Sequence, residues 1–109
     1  MTPLANSGPR KVFIMAYVVC NISDGLRPSE VTVEVRDVND RPQFLRVHRE
    51  FAKNLEDAWY LPIGIVHHDR DNDLYLIELP HEADSGANRL WVASTSIMVP
   101  KQRKETTAT

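Results

Sequence analysis

The sequence predicts an all-β fold, mainly antiparallel with one short helix, arranged as a small six-stranded barrel or a strongly bent sheet. Three observations carry this. Apolar and polar residues alternate through Val31-Thr32-Val33-Glu34-Val35-Arg36 and again around Leu61, Ile63 and Ile65, the period of a half-buried strand. Clusters such as Ser23-Asp24-Gly25, Asn39-Asp40-Arg41-Pro42 and Asp84-Ser85-Gly86 punctuate those segments with turn chemistry. The chain also lacks the long segments of helical period that a parallel sheet or a helical bundle needs. Closure or strong bending follows from the need to protect sheet edges.

The elements are read in order. Lys11–Ile22 is the first strand, apolar enough to be buried on both faces for part of its length. Pro28 and Ser29 extend the loop after it. Glu30–Val38 is the second strand, and Pro42, which has no N–H to donate, marks the turn into the third, Gln43–His48. Between Arg49 and Ala58 the alternation breaks. Phe51 and Leu55 stand four apart with Ala52 beside them, the spacing of a short helix. Trp59–His68 is the fourth strand, with Pro62 and Gly64 on the face opposite Leu61, Ile63 and Ile65, which signals an edge or a bend. The polar loop 69–73 leads into the fifth strand, Leu74–Leu79. Pro80–Arg89 is a long connection, and Leu90–Val99 is the sixth strand. No internal repeat is visible. Residues 10–100 form one domain, with a loose leader at 1–9 and a loose tail at 101–109.

With 13 basic and 15 acidic residues interspersed, the net charge of −2 presents no basic face for nucleic acid. The short cationic group Lys101, Arg103 and Lys104 is interrupted by Glu105. The apolar run Val12–Cys20 is too short to span a bilayer, and no small-x-small cleavage site follows it. Neither membrane insertion nor export is expected. A single cysteine, Cys20, excludes an internal disulfide and agrees with a cytoplasmic home. Lying within an apolar strand, it reads as a core thiol.

Three constellations are candidates for function. The first is Asp37-Val38-Asn39-Asp40-Arg41-Pro42, which resembles the interdomain linker of cadherins; Glu56 and then Asp69-Arg70-Asp71 follow in an order similar to a cadherin repeat. The resemblance implies calcium held by Asp37, Asn39, Asp40, Glu56, Asp69 and Asp71 in an adhesion protein, calcium being an ion that takes six to eight hard oxygen ligands. The same residues also read as a polar hairpin turn, and Arg41 places a cation where that family usually has Asn. The second is the loop His67–Asp73, whose imidazoles and carboxylates suit a transition metal. Adjacent strand residues face opposite ways, however, which separates His67 from His68.

The third is the long connection and the strand after it. Here His81, Asp84, Asn88 and Arg89, with Trp91 beyond them, form a candidate binding surface. No glycine-rich phosphate loop, CxxC pair, HExxH motif or nucleophile elbow is present, so no cofactor and no catalytic residue is assigned. The reading is a non-catalytic binding domain, with a protein partner or self-association in view. A calcium- or metal-binding module is the alternative, and a small enzyme the second alternative.

Overall fold

The computed structural model describes residues 14–99. The leader 1–9, the tail 101–109 and the expected start of the first strand at 11–13 lie outside the described residues. The fold is a mostly antiparallel β-sheet curled into a six-strand half-barrel. Its strands are β1 Ile14–Asp24, β2 Glu30–Arg36, β3 Pro42–His48, β4 Lys53–Leu55, β5 Ala58–Asp69, β6 Leu74–Glu78, β7 Arg89–Ala93 and β8 Ile97–Met98. Six of them run in the order β3-β2-β1-β5-β6-β7; β4 adds to β5, and β8 adds to β1.

The alternation in the sequence becomes the two faces of the sheet. Val31, Val33 and Val35 of β2, Leu45 and Val47 of β3, and Leu61 and Ile63 of β5 all point into one core. Ile77, Leu90 and Val92 join them from β6 and β7. β1 departs from expectation. Ala16, Val18 and Cys20 are buried, but Met15 and Val19 on the other face are exposed. This strand is central in order yet covered on one side only, because among the described residues no second layer packs on the outside of the sheet.

The expected helix over 49–58 is absent. Arg49–Phe51 forms a single 3-10 turn and Lys53–Leu55 is a strand. The physical reason is the edge of β5, which offers Lys53, Asn54 and Leu55 ladder partners at Tyr60, Trp59 and Ala58. A lone helical turn in water has no comparable compensation for its nucleation cost. The sixth strand also ends early. Ser94–Ser96 makes another 3-10 turn, pinned by Ser94 N–H donating to Asp73 O at 3.1 Å, and Ile97–Met98 then turns back onto β1.

The sheet holds a repetition that the sequence conceals. Ile22, Val33 and Leu45 lie side by side across β1, β2 and β3. Ile65, Ile77 and Leu90 lie side by side across β5, β6 and β7. Each three-strand meander is followed by a 3-10 turn and a short strand. The short strand of each half pairs with the long strand of the other: β4 with β5, and β8 with β1. Between the halves runs the β1–β5 ladder from Ile14↔Ile65 to Cys20↔Trp59, with Val18 opposite Leu61.

Three outcomes follow for stability. Leu61→Ala empties the centre of this ladder and is expected to cost about 3–5 kcal/mol, measured by urea denaturation. Gly25→Ala would bring a Cβ to 2.8 Å from Glu30 Cβ and 2.9 Å from its backbone carbonyl. That overpacking should cost about 1–3 kcal/mol. Burial pushes the Cys20 thiol from 9.0 up to about 12. The folded state therefore keeps a proton that the unfolded chain releases. The contribution is complete below about pH 9 and is lost as pH rises toward 12. Denaturation midpoints of the wild type and Cys20→Ala, compared across that range, should converge or cross as pH rises; parallel curves would refute the assignment.

Candidate functional site

The long β6–β7 connection is a seam that joins the two ends of the curled sheet. Asp84 N–H donates to Phe44 O at 2.7 Å, and Ser85 Oγ–H donates to Gln43 Oε1 at 2.6 Å. Arg46 on β3 forms an ion pair with Asp84. From the other side, Val38 N–H in the β2–β3 turn donates to Trp91 O on β7 at 2.8 Å. The buried Ala83 sits under this crossing, and Gly86 (φ 92°) makes the tight return that only glycine enters without strain.

This geometry places each residue of the expected binding surface. Asp84 faces Arg46 across the seam. Asn88 donates its side-chain N–H to Leu79 O at 3.3 Å, closing the base of the loop. Arg89 is held by Glu78 Oε1, with Nε at 3.3 Å and Nη2 at 3.2 Å. Trp91 meets the edge of His67 with ring centroids 6.0 Å apart. His81 stacks on Phe51 with ring centroids 6.5 Å apart. Each of the five residues makes its contact with a different part of the fold. Asp84 and Asn88 hold the loop, Arg89 and Trp91 lie along β7, and His81 borders the neighbouring cleft.

The residues implied by the cadherin resemblance are placed in three separate turns. Asp37 is the organiser of the β2–β3 turn. Its Oδ1 accepts from the backbone N–H of Asn39 and of Arg41, both at 2.9 Å, and its Oδ2 accepts from Gln43 at 3.3 Å. Asp40 takes a left-handed conformation there (φ 60°), and Arg36 donates to its carbonyl at 3.0 Å. Glu56 belongs to the two-residue turn between β4 and β5. Asp69 ends β5 and accepts from the Asn72 side chain at 2.9 Å, and this bond first of all holds its carboxyl below the usual range. Asp71 lies in the same loop. His68 stacks on Tyr75 at 4.2 Å, apart from His67. Among the described residues, no group of three or more His, Cys, Asp or Glu side chains is arranged to hold a metal ion.

The structure also holds a concavity that the sequence reading did not single out. β4 pairs with β5 as far as Tyr60, and β6 pairs with it from Gly64 onward. In the gap between them opens a cleft of about 640 Å³. Its apolar lining includes Met15, Phe51, Pro62, Leu79 and Pro80, with Glu50, Lys53 and Glu78 also at the site. Met15 is 62 % exposed and Phe51 42 %, so both apolar side chains face solvent. Pro62 is tolerated mid-strand because the gap asks for no ladder donor there. Gly64, opposite Met15, adds no side chain to fill the space. The signal in the sequence was Pro62 and Gly64 together on one face, read as an edge or a bend; what lies across from them depends on β1 and on the 3-10 turn, which no local pattern specifies.

Asp84→Ala is expected to lower stability by only about 0.5–1 kcal/mol, because the ion pair is partly exposed. It should nevertheless speed hydrogen exchange at the Asp84 and Val38 amides, which close the seam, more than at the Val33 amide. No protein-family model, no curated protein and no solved structure matches the chain.

Proposed function

We propose that the chain is a non-catalytic binding domain and that its contact site is the cleft beside Phe51. The occupant is a large apolar side chain presented by an extended segment of a partner polypeptide. The observation that carries this reading is the exposure of Met15 and Phe51 around a single concavity between β4 and β6. Solvent-facing apolar side chains gathered round a recess mark a contact site, whereas isolated ones need no explanation. The volume is within the range of pockets that hold small ligands or anchor side chains.

A polypeptide is favoured over a small apolar molecule by the strand edge. Among the described residues, no strand pairs with residues 61–63 of β5 on the cleft side, so main-chain groups lie next to the apolar recess. Extended peptides are recognised by that combination of main-chain contacts with a side-chain pocket. Glu50, Lys53 and Glu78 give the rim charges of both signs, and the polar rim is the part of an interface that sets orientation more than affinity. Catalysis finds no support at this place. The lining provides two carboxylates and one amine, without a nucleophile paired to a base.

The test is selection of peptides from a random display library on the immobilised full chain, followed by amide chemical-shift mapping of the enriched peptides. The expected result is enrichment of a large apolar residue, with shifts centred on Met15, Phe51, Lys53 and Leu79. Phe51→Asp should weaken binding by roughly 1–3 kcal/mol, the usual scale of an anchor residue. It should shift the unfolding midpoint little, since Phe51 lies outside the core. Enriched peptides that shift the Asp84–Trp91 region instead would reject the cleft as the site.

A further inference from the structure

The two halves of the sheet complete one another through contacts that a second copy of the chain can supply equally well. Residues 14–55 end in β4, which is paired with β5 of residues 58–99. Those residues end in β8, which is paired with β1 of the first half. The principal junction is the β1–β5 ladder. The only covalent link between the halves is the turn Glu56-Asp57. Both residues stand in the left-handed region, Glu56 at φ 52° and Asp57 at φ 70°. A two-residue hairpin turn with positive φ at both positions favours Asn-Gly, and a Glu-Asp pair holds that shape under strain.

From this we infer that the chain exchanges halves with a second copy of itself, with Glu56-Asp57 as the hinge. In the exchanged dimer, residues 14–55 of each copy pair with residues 58–99 of the other. Every β1–β5, β4–β5 and β8–β1 contact is kept, and the strained turn opens into extended chain. Lys53 to Asp69 then becomes one continuous strand that crosses its counterpart antiparallel. The register Leu55↔Ala58 continues through the crossing, so Glu56 of one copy faces Asp57 of the other. A short strained hinge between two interlocked halves is the condition under which exchange of identical elements costs little. The opposed carboxylates at the crossing restrain it at low ionic strength.

The experiment uses the full chain with two hinge variants that act in opposite directions. Glu56→Val/Asp57→Val removes the charges and places β-branched residues where positive φ is disfavoured, so it should raise the dimer fraction by roughly tenfold in light scattering at equal concentration. Glu56→Asn/Asp57→Gly fits the tight turn and should be monomeric. In a dimer assembled from differently labelled copies, contacts between Val18 and Leu61 should appear between copies. A folded, monomeric double-valine variant overturns the inference, as does a dimer whose Val18–Leu61 contacts all lie within one copy. If the double-valine variant does not fold, the wild type refolded at millimolar concentration decides. More dimer than in the Asn-Gly variant supports exchange, and equal fractions overturn it.

Discussion

The structure depends on the ladder between β1 and β5. These are the two longest strands, and every other element reaches the core through one of them. β2 and β3 extend outward from β1, and β6 and β7 from β5. Val18 and Leu61, opposed at the middle of the ladder, have no exposed surface. Burial at such a site stabilises by about 1.5–3 kcal/mol for each side chain. Among the described residues, neither meander has a second layer of its own against which to bury its apolar face. The two faces must therefore turn toward each other, and pairing along β1 and β5 is what brings them round. The curl of the half-barrel follows from that necessity.

A curled sheet with two free ends would leave β3 and β7 as open edges, which invite pairing with other chains. The protein joins them with irregular backbone. The β6–β7 connection lends Asp84 N–H to Phe44 O, and the β2–β3 turn lends Val38 N–H to Trp91 O. These bonds explain why the polar residues of 80–90 are occupied with holding a loop. Asp84, Ser85 and Asn88 each direct a polar side-chain group to another part of the fold, and Asp37 does the same within its own turn. Polar loop residues that look available in a sequence here tie together the two ends of the half-barrel.

The legibility of the fold in the sequence divides along the same line. The period-two pattern located Val31–Val35, Leu61–Ile63 and the two faces of β6, because those signals are local and one face is buried. Turn chemistry located the breaks after Asp24, Arg36, Asp69 and Glu78, but not the Glu56-Asp57 turn or the 3-10 turn Ser94–Ser96. What stayed hidden was set by distant partners. Lys53–Leu55 resembled helix until the edge of β5 made it strand. β1 resembled a doubly buried strand because its outward residues Met15, Tyr17 and Val19 are apolar. The repetition of the two halves escaped notice because only the inward residues match. Val33 corresponds to Ile77 and Leu45 to Leu90, while the residues between them differ in kind. The cleft was illegible for a related reason: its walls come from β1, a 3-10 turn, β5 and the end of β6, and only the folded sheet assembles them.

The correspondence of the halves bears on which residues the fold itself requires. Positions that must match for two meanders to share one core do match. Ile22 and Ile65, Val33 and Ile77, Leu45 and Leu90 are apolar in both halves and buried or packed against the core. Three apolar residues of the cleft, Phe51, Pro80 and Met15, stand at positions that do not match. Phe51 ends the first 3-10 turn, and Ser96 ends the second. Pro80 follows Leu79, whereas Arg36 follows the equivalent Val35. Met15 stands three residues before Val18, and Ala58 three before Leu61. If these apolar residues served the common architecture, the second half would need them as well. Their restriction to one half separates them from the demands of folding. An exposed Phe51 and Met15 add little to a core they do not enter, and their surface remains unfavourably hydrated until something covers it. That imbalance between a core both halves share and an apolar recess only one of them carries is what favours a binding role for the recess.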